Sequence, residues 1–135
     1  MNSAPMQIFR LLLLVAMLPL AACGDPRSHS LSRLRNADAA GLRAEVAQLT
    51  AKLLPPAGPE FVPIQPELWP AAFVKLRPVR MNLYRDGLAV SLQAAPGYEY
   101  GLHIVPAGAS DALKSTERTQ YEKLQDGIWY FTQKR

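Results

Sequence analysis

The strongest constraint in this chain lies in "VRMNLYRDGLAVSLQ", Val79 to Gln93, where apolar and polar residues alternate up to an Asp-Gly pair and resume after it. In an extended segment Val79, Met81 and Leu83 fall on one face, and Arg80, Asn82 and Tyr84 on the other. Asp86-Gly87 signals a two-residue hairpin turn, because glycine takes the positive φ such turns need. A turn centred there sets Leu83 opposite Val90, Met81 opposite Leu92 and Asn82 opposite Ser91. Each pair matches in polarity, so turn chemistry and face pattern specify one register. A chain with this hairpin must bury one face of a sheet, and the rest of the sequence has to cover it.

More strands follow. Ala95-Pro96-Gly97 makes the next turn, and "YEYGLHIVP" alternates again, with Leu102 and Ile104 inward beside Tyr98 and Tyr100. Residues 107–118, "AGASDALKSTER", are small and polar and read as a surface loop. "YEKLQDGIWYFTQ" carries a second Asp-Gly at 126–127, where two- and three-residue loops both fit and the register stays open. Trp129 and Phe131 share one face there, Ile128 and Tyr130 the other. A strand apolar on both faces belongs in the middle of a sheet or is covered twice.

The covering layer is legible upstream. Leu31, Leu34, Leu42, Val46, Leu49 and Leu53 fall within an arc of about 120° at helical spacing, which predicts an amphipathic helix over 31–54. Ser30 or Ser32 would cap it, Arg35 and Asp38 would pair along it, and Pro55-Pro56 would end it. The stripe reads as a core face; its 42–53 portion keeps a rhythm that would also serve an oligomer contact. Seven prolines between 55 and 78 exclude regular helix or central strand, so this stretch reads as an extended strap packed through Phe61, Val62, Ile64, Leu68 and Trp69, with a short helix from Pro70. The expected fold is α+β: an N-terminal helix, a proline-rich strap, and a small antiparallel sheet of four to five strands built from hairpins. The expected boundaries are 1–22, 23–30 (a flexible tether), 31–54, 55–78 and 79–135.

The first 22 residues have the parts of an export signal: Arg10, an apolar run from Leu11, and small residues Ala21 and Ala22. Leu11 to Ala22 is 12 residues, too short for a stable span, which needs about 20. The run ends on the chain's only cysteine, and Leu20-Ala21-Ala22-Cys23 resembles the lipobox of bacterial lipoproteins. That resemblance implies cleavage before Cys23, a diacylglyceryl group on its sulfur, and an acyl chain such as palmitate on the new amino terminus. Two or three acyl chains make membrane attachment lasting where one does not. Gly24, rather than Asp, follows the cysteine; within such lipoproteins this implies the periplasmic face of the outer membrane. A lone cysteine also has no disulfide partner within the chain.

Without residues 1–22 the chain has 113 residues, with 14 basic against 11 acidic side chains, net +3. The basic residues are scattered rather than striped, which argues against nucleic acid. Of two histidines, His29 falls in the tether and His103 in a strand, too few for a metal site of three or four ligands. No phosphate-binding glycine loop or Gly-x-Ser-x-Gly elbow is present, and no cofactor is implied. A catalytic arrangement would have to use His103, whose same-face neighbour Glu99 lies about 13 Å along the strand, out of reach; His103 reads as a solvent-side strand residue. The outward Arg80, Asn82 and Tyr84 are the candidate protein-binding face, since Tyr and Arg favour contact surfaces. The expected function is a membrane-anchored, non-enzymatic binding module of the cell envelope, with membrane lipid at Cys23 and an envelope protein as partners. The alternatives are a small envelope hydrolase using His103 and a structural spacer.

Overall fold

The structure, a computed structural model, describes residues 25–135. It is a mixed α+β fold in which helices and the proline strap cover one face of a six-stranded antiparallel sheet. The strands are β1 (Val62–Ile64), β2 (Arg80–Tyr84), β3 (Gly87–Ala95), β4 (Tyr98–Ile104), β5 (Thr119–Gln125) and β6 (Ile128–Lys134). Their spatial order is β1-β2-β3-β4-β6-β5, so the last hairpin turns back and leaves β5 at the edge. Among the described residues no helix is long and apolar enough to cross a membrane.

The sixth strand comes from the strap. Val62-Pro63-Ile64 pairs antiparallel with β2, Ile64 opposite Met81 and Val62 opposite Leu83. A proline cannot donate to a ladder and is tolerated at a sheet edge, which is where β1 lies. A 3-10 turn (Pro66–Leu68) and a short helix α3 (Ala71–Val74) follow, the latter at the expected place after Pro70. Phe73 is fully buried, and the Trp69 indole N–H donates to the Ile64 carbonyl at 2.9 Å. These two rings fasten the strap; burying one phenylalanine contributes about 2–3 kcal/mol.

The single helix expected over 31–54 is two helices, α1 (Pro26–Arg35) and α2 (Ala39–Leu53). The expected tether is thereby shortened, because Pro26 to Ser30 are already helical. Asp25 caps α1 through the Ser28 N–H at 2.8 Å, and Pro26 at the first turn needs no partner for a missing N–H. Asp38 does not run on as a helical residue paired with Arg35. It caps α2, its carboxylate accepting from the Gly41 N–H at 3.1 Å. A side chain at 41 would place its Cβ 2.5 Å from that carboxylate, so glycine there serves the cap. Leu42 and Val46 are buried, with Leu49 and Leu53 packed beside them, and this stripe meets the protein's own sheet.

The core lies between these helices and the inward row Met81, Leu83, Leu88, Val90, Leu92, Leu102, Ile104 and Ile128. The expected faces are therefore the observed ones for Met81, Leu83, Leu102 and Ile104, whereas Val79, ahead of β2, and Tyr98, at the start of β4, lie beyond the helical cover and are exposed. The register of the first hairpin is not: Leu83 lies opposite Leu88, Met81 opposite Val90 and Asn82 opposite Ala89. Arg85 and Asp86 occupy the turn, and Gly87 opens β3 with φ +147°. The difference is two residues, which preserves faces because side chains alternate with period two. Gly87 leaves the turn because it lies against β4, where a Cβ would sit 2.5 Å from the Ile104 carbonyl oxygen.

Candidate functional site

The helix-free face of the sheet is not simply a solvated face. Its central strand presents only small residues outward, Gly87, Ala89 and Ser91, and β4 adds Gly101. Large side chains from the flanking strands lean over this low ground. Tyr84 comes from β2, Tyr121 from β5 and Phe131 from β6, around His103 on β4. The His103 ring lies 6.2 Å from the Tyr84 ring and 5.4 Å, edge to face, from that of Tyr121. Phe61, ahead of β1, stands 5.3 Å from Tyr84. The result is a cleft of about 650 Å³. One wall is the strap at Gly58, Pro59 and Phe61, and the other is the loop at Lys114, Thr116 and Arg118.

That second wall is held in place. Asp111 accepts from the Gly127 N–H at 2.9 Å and from the Trp129 indole N–H at 2.6 Å, and pairs with Lys123 Nζ at 2.7 Å. The Lys123 ammonium, with the two N–H donors, holds the Asp111 carboxyl at about 2. Beyond it Thr116 Oγ1 accepts from the Thr119 N–H at 3.0 Å, and Ser115 Oγ from the Tyr121 N–H at 2.9 Å. The 107–118 segment is therefore a loop, as expected, pinned over the β5–β6 hairpin and shielding the second apolar face of β6 through Trp129.

His103 is 1% exposed, which corrects the expectation of a solvent-side residue. It does point to the helix-free face, but Tyr84 and Tyr121 cover it. Its Nε2 lies 3.2 Å from Asp86 Oδ1 without the alignment of a hydrogen bond, and it has no other partner. The acid that reaches it comes from the β2–β3 turn rather than from its own strand, and Asp86 itself is exposed. Burial raises the phenols of both tyrosines, that of Tyr121 to about 12, so both are neutral hydroxyls at the cleft. For Tyr84 a hydrogen bond with Gln133 opposes the rise.

Of the three candidate residues on β2, Tyr84 alone lines the cleft. Arg80 lies at the other end of the strand, where its Nε sits 2.5 Å from Glu99 Oε1, and Arg135 reaches the same oxygen at 3.1 Å. Glu99 is buried, so Arg80 neutralises an interior carboxylate. Asn82 is half-buried between Pro63 and Ala89. Cys23 lies outside the described residues. Among the described residues no three His, Cys, Asp or Glu side chains converge to hold a metal ion. Sequence reasoning passed over Asp86, Tyr121, Phe61 and the 114–119 wall. The one signal for the cleft was the run of small outward residues Gly87, Ala89 and Ser91 beside inward Leu88, Val90 and Leu92.

The arrangement offers aromatic faces, two neutral phenols, an unpartnered imidazole and a rim of positive charge. No known family profile matches the chain, and comparison with curated proteins and with solved structures finds no match.

Proposed function

We propose that the chain is a lipid-anchored lipoprotein of the cell envelope whose folded part is a non-enzymatic binding module, taking its ligand in the cleft on the helix-free face. The observation that carries this reading is the buried His103 Nε2 without a partner at the floor of a cleft walled by aromatic rings. An unpaired buried polar atom costs about 1–3 kcal/mol, a cost that a ligand supplying the partner would remove. The volume is in the range of small-molecule sites, about 300–1,000 Å³. The anchor rests on the Leu20-Ala21-Ala22-Cys23 pattern. On this reading α1, capped at Asp25, begins within a few residues of the membrane, and Gly24 after the cysteine supports the periplasmic face of the outer membrane.

Two measurements test it. Cys23→Ser is expected to move the protein from the membrane to the soluble fraction; retention in the membrane would remove the anchor. A photo-crosslinking residue at Phe61, on the cleft wall, is expected to give a discrete adduct by intact mass in cells, with none from Ser110 on the outer loop. No adduct at either position would favour the spacer.

One observation favours the second reading, a small hydrolase using His103: the 3.2 Å approach of Asp86, an acid beside an imidazole in a cleft. Catalysis would ask that acid to orient the ring through an aligned hydrogen bond, and the contact lacks one. Recovery of the crosslinked ligand intact supports binding, and recovery of a cleaved one supports hydrolysis.

A further inference from the structure

We propose that the cleft takes a small organic anion bearing an aromatic ring, with its acidic group on His103 Nε2 in the place now occupied by Asp86. This inference rests on the binding reading above and names its ligand class.

Charge gives the first argument. The residues lining the cleft include three cations, Arg85, Lys114 and Arg118, and one acid, Asp86. Among the described residues none of these three cations forms an ion pair. Elsewhere on the same side of the sheet, by contrast, Arg80 and Lys123 are engaged by carboxylates. Unpaired cations around a concave site whose floor is apolar focus a positive potential into it.

Shape and chemistry of the floor give the second. Phe61, Tyr84, Tyr121 and Phe131 present ring surface to the space, and planar ligands stack on such faces in offset or edge-to-face geometry. Gln133 and Thr119 add hydrogen-bonding groups at one end.

His103 itself is poised for such a ligand. Its imidazole is buried, its Nε2 has no aligned partner, and the nearest oxygen belongs to a carboxylate. Asp86 is 59% exposed and sits in a two-residue turn, so its carboxylate can return to water by a side-chain rotation. A ligand carboxylate or phosphate that enters flat between the rings can face Nε2–H in line and accept a charge-assisted hydrogen bond that Asp86 makes poorly. Asp86 thus stands where the ligand's acid belongs, and its rotation outward opens the floor.

The test uses four probes that share one phenyl ring: benzoate, phenyl phosphate, benzamide and benzylamine. They are titrated into the folded protein while the His103 imidazole and tyrosine ring resonances are followed by NMR. Benzoate or phenyl phosphate is expected to shift those resonances with at least tenfold higher affinity than benzamide, and benzylamine not at all. Preference between the two anions distinguishes a carboxylate ligand from a phosphate one. The double variant Lys114→Glu, Arg118→Glu lies on an exposed loop and keeps the fold; it is expected to weaken the better anion at least tenfold. Asp86→Asn is expected to strengthen it several-fold. Benzamide binding as tightly as the better of the two anions, or an unchanged affinity for that anion in the double variant, would overturn the anion while leaving a binding cleft. A weaker anion affinity in Asp86→Asn would overturn the displacement of Asp86. If none of the four shifts His103 while the Phe61 crosslink still forms, the ligand class is wrong and the binding reading stands. If the crosslink is absent too, both fall.

Discussion

Asp111 is one carboxylate holding one wall of the cleft, and its removal has a magnitude that can be worked out. The side chain is about one-fifth exposed and receives the Gly127 N–H, the Trp129 indole N–H and the Lys123 ammonium. Its carboxyl sits at about 2, against an ordinary 3.8. At 1.36 kcal/mol per decade this corresponds to roughly 2 kcal/mol in favour of the folded state. Screening matters, because the Lys123 side chain is 44% exposed; an effective contribution of about 1 kcal/mol is the better figure. The sign follows from the depressed value. Stability is present in full above the unfolded value near 4 and is lost as pH falls toward 2, with about two-thirds gone by pH 2.5. Asp111→Asn removes the charge and sets an amide N–H against a donor, so the expected loss at pH 7 is about 1–2 kcal/mol. Urea unfolding followed by Trp129 fluorescence in a Trp69→Phe background measures it at both pH values. Exchange of the Gly127 amide proton reports whether the loop opens without global unfolding. The gap between wild type and variant should shrink at pH 2.5. An unchanged gap, or none at pH 7, would refute the assignment of stability to this carboxylate.

Two further perturbations follow from single contacts. Gly87→Ala places a Cβ 2.5 Å from the Ile104 carbonyl oxygen and 2.7 Å from His103 Nε2, at a φ of +147°; the expected cost is about 2–3 kcal/mol in a denaturant titration. Ser30 in α1 is 1% exposed and its hydroxyl has no partner. Ser30→Ala is therefore expected to raise the stability by about 1 kcal/mol, a gain of several degrees in Tm, through lost desolvation cost and better helix propensity.

What the sequence makes legible, and what it hides, follows one division. Face patterns are local and came through: Met81 and Leu83 are inward, Tyr84 and Arg80 outward, and Leu102 and Ile104 share the core side. The register of the first hairpin depends on a contact between strands. Asp86-Gly87 has the composition of a turn centre, but Gly87 is needed beside His103 and Ile104 more than at the turn. Pro63 hid β1, since a proline argues against a strand until it is known to lie at an edge. Asp38 fits both an ion pair within a long helix and the cap of a new one; helix periodicity alone does not choose. The cleft was the least legible feature. It is made by small outward residues on β3, which alternation shows without saying what stands over them, and by two loops whose positions depend on Asp111 and on the strap and have no periodic signal.

Binding and stability make opposite demands on the imidazole at the centre of the cleft. A residue kept for packing would be satisfied or apolar; His103 is buried with Nε2 unpaired, among rings that a leucine would also contact. His103→Leu removes the unpartnered nitrogen, worth about 1–3 kcal/mol, and forfeits part of the edge contact with Tyr121, worth about 0.5–1.5 kcal/mol. Taken at mid-range, about 2 against about 1 kcal/mol, the balance predicts a variant more stable than the wild type by about 1 kcal/mol, with its affinity for the better anionic probe lost. A residue whose replacement improves the fold while emptying the site is kept for what it binds. If the variant instead unfolds more easily by 2 kcal/mol or more, Asp86 is pairing with the imidazole in solution more strongly than its geometry implies. The floor of the cleft would then be a structural ion pair, and the inference of a displaceable Asp86 would go with it.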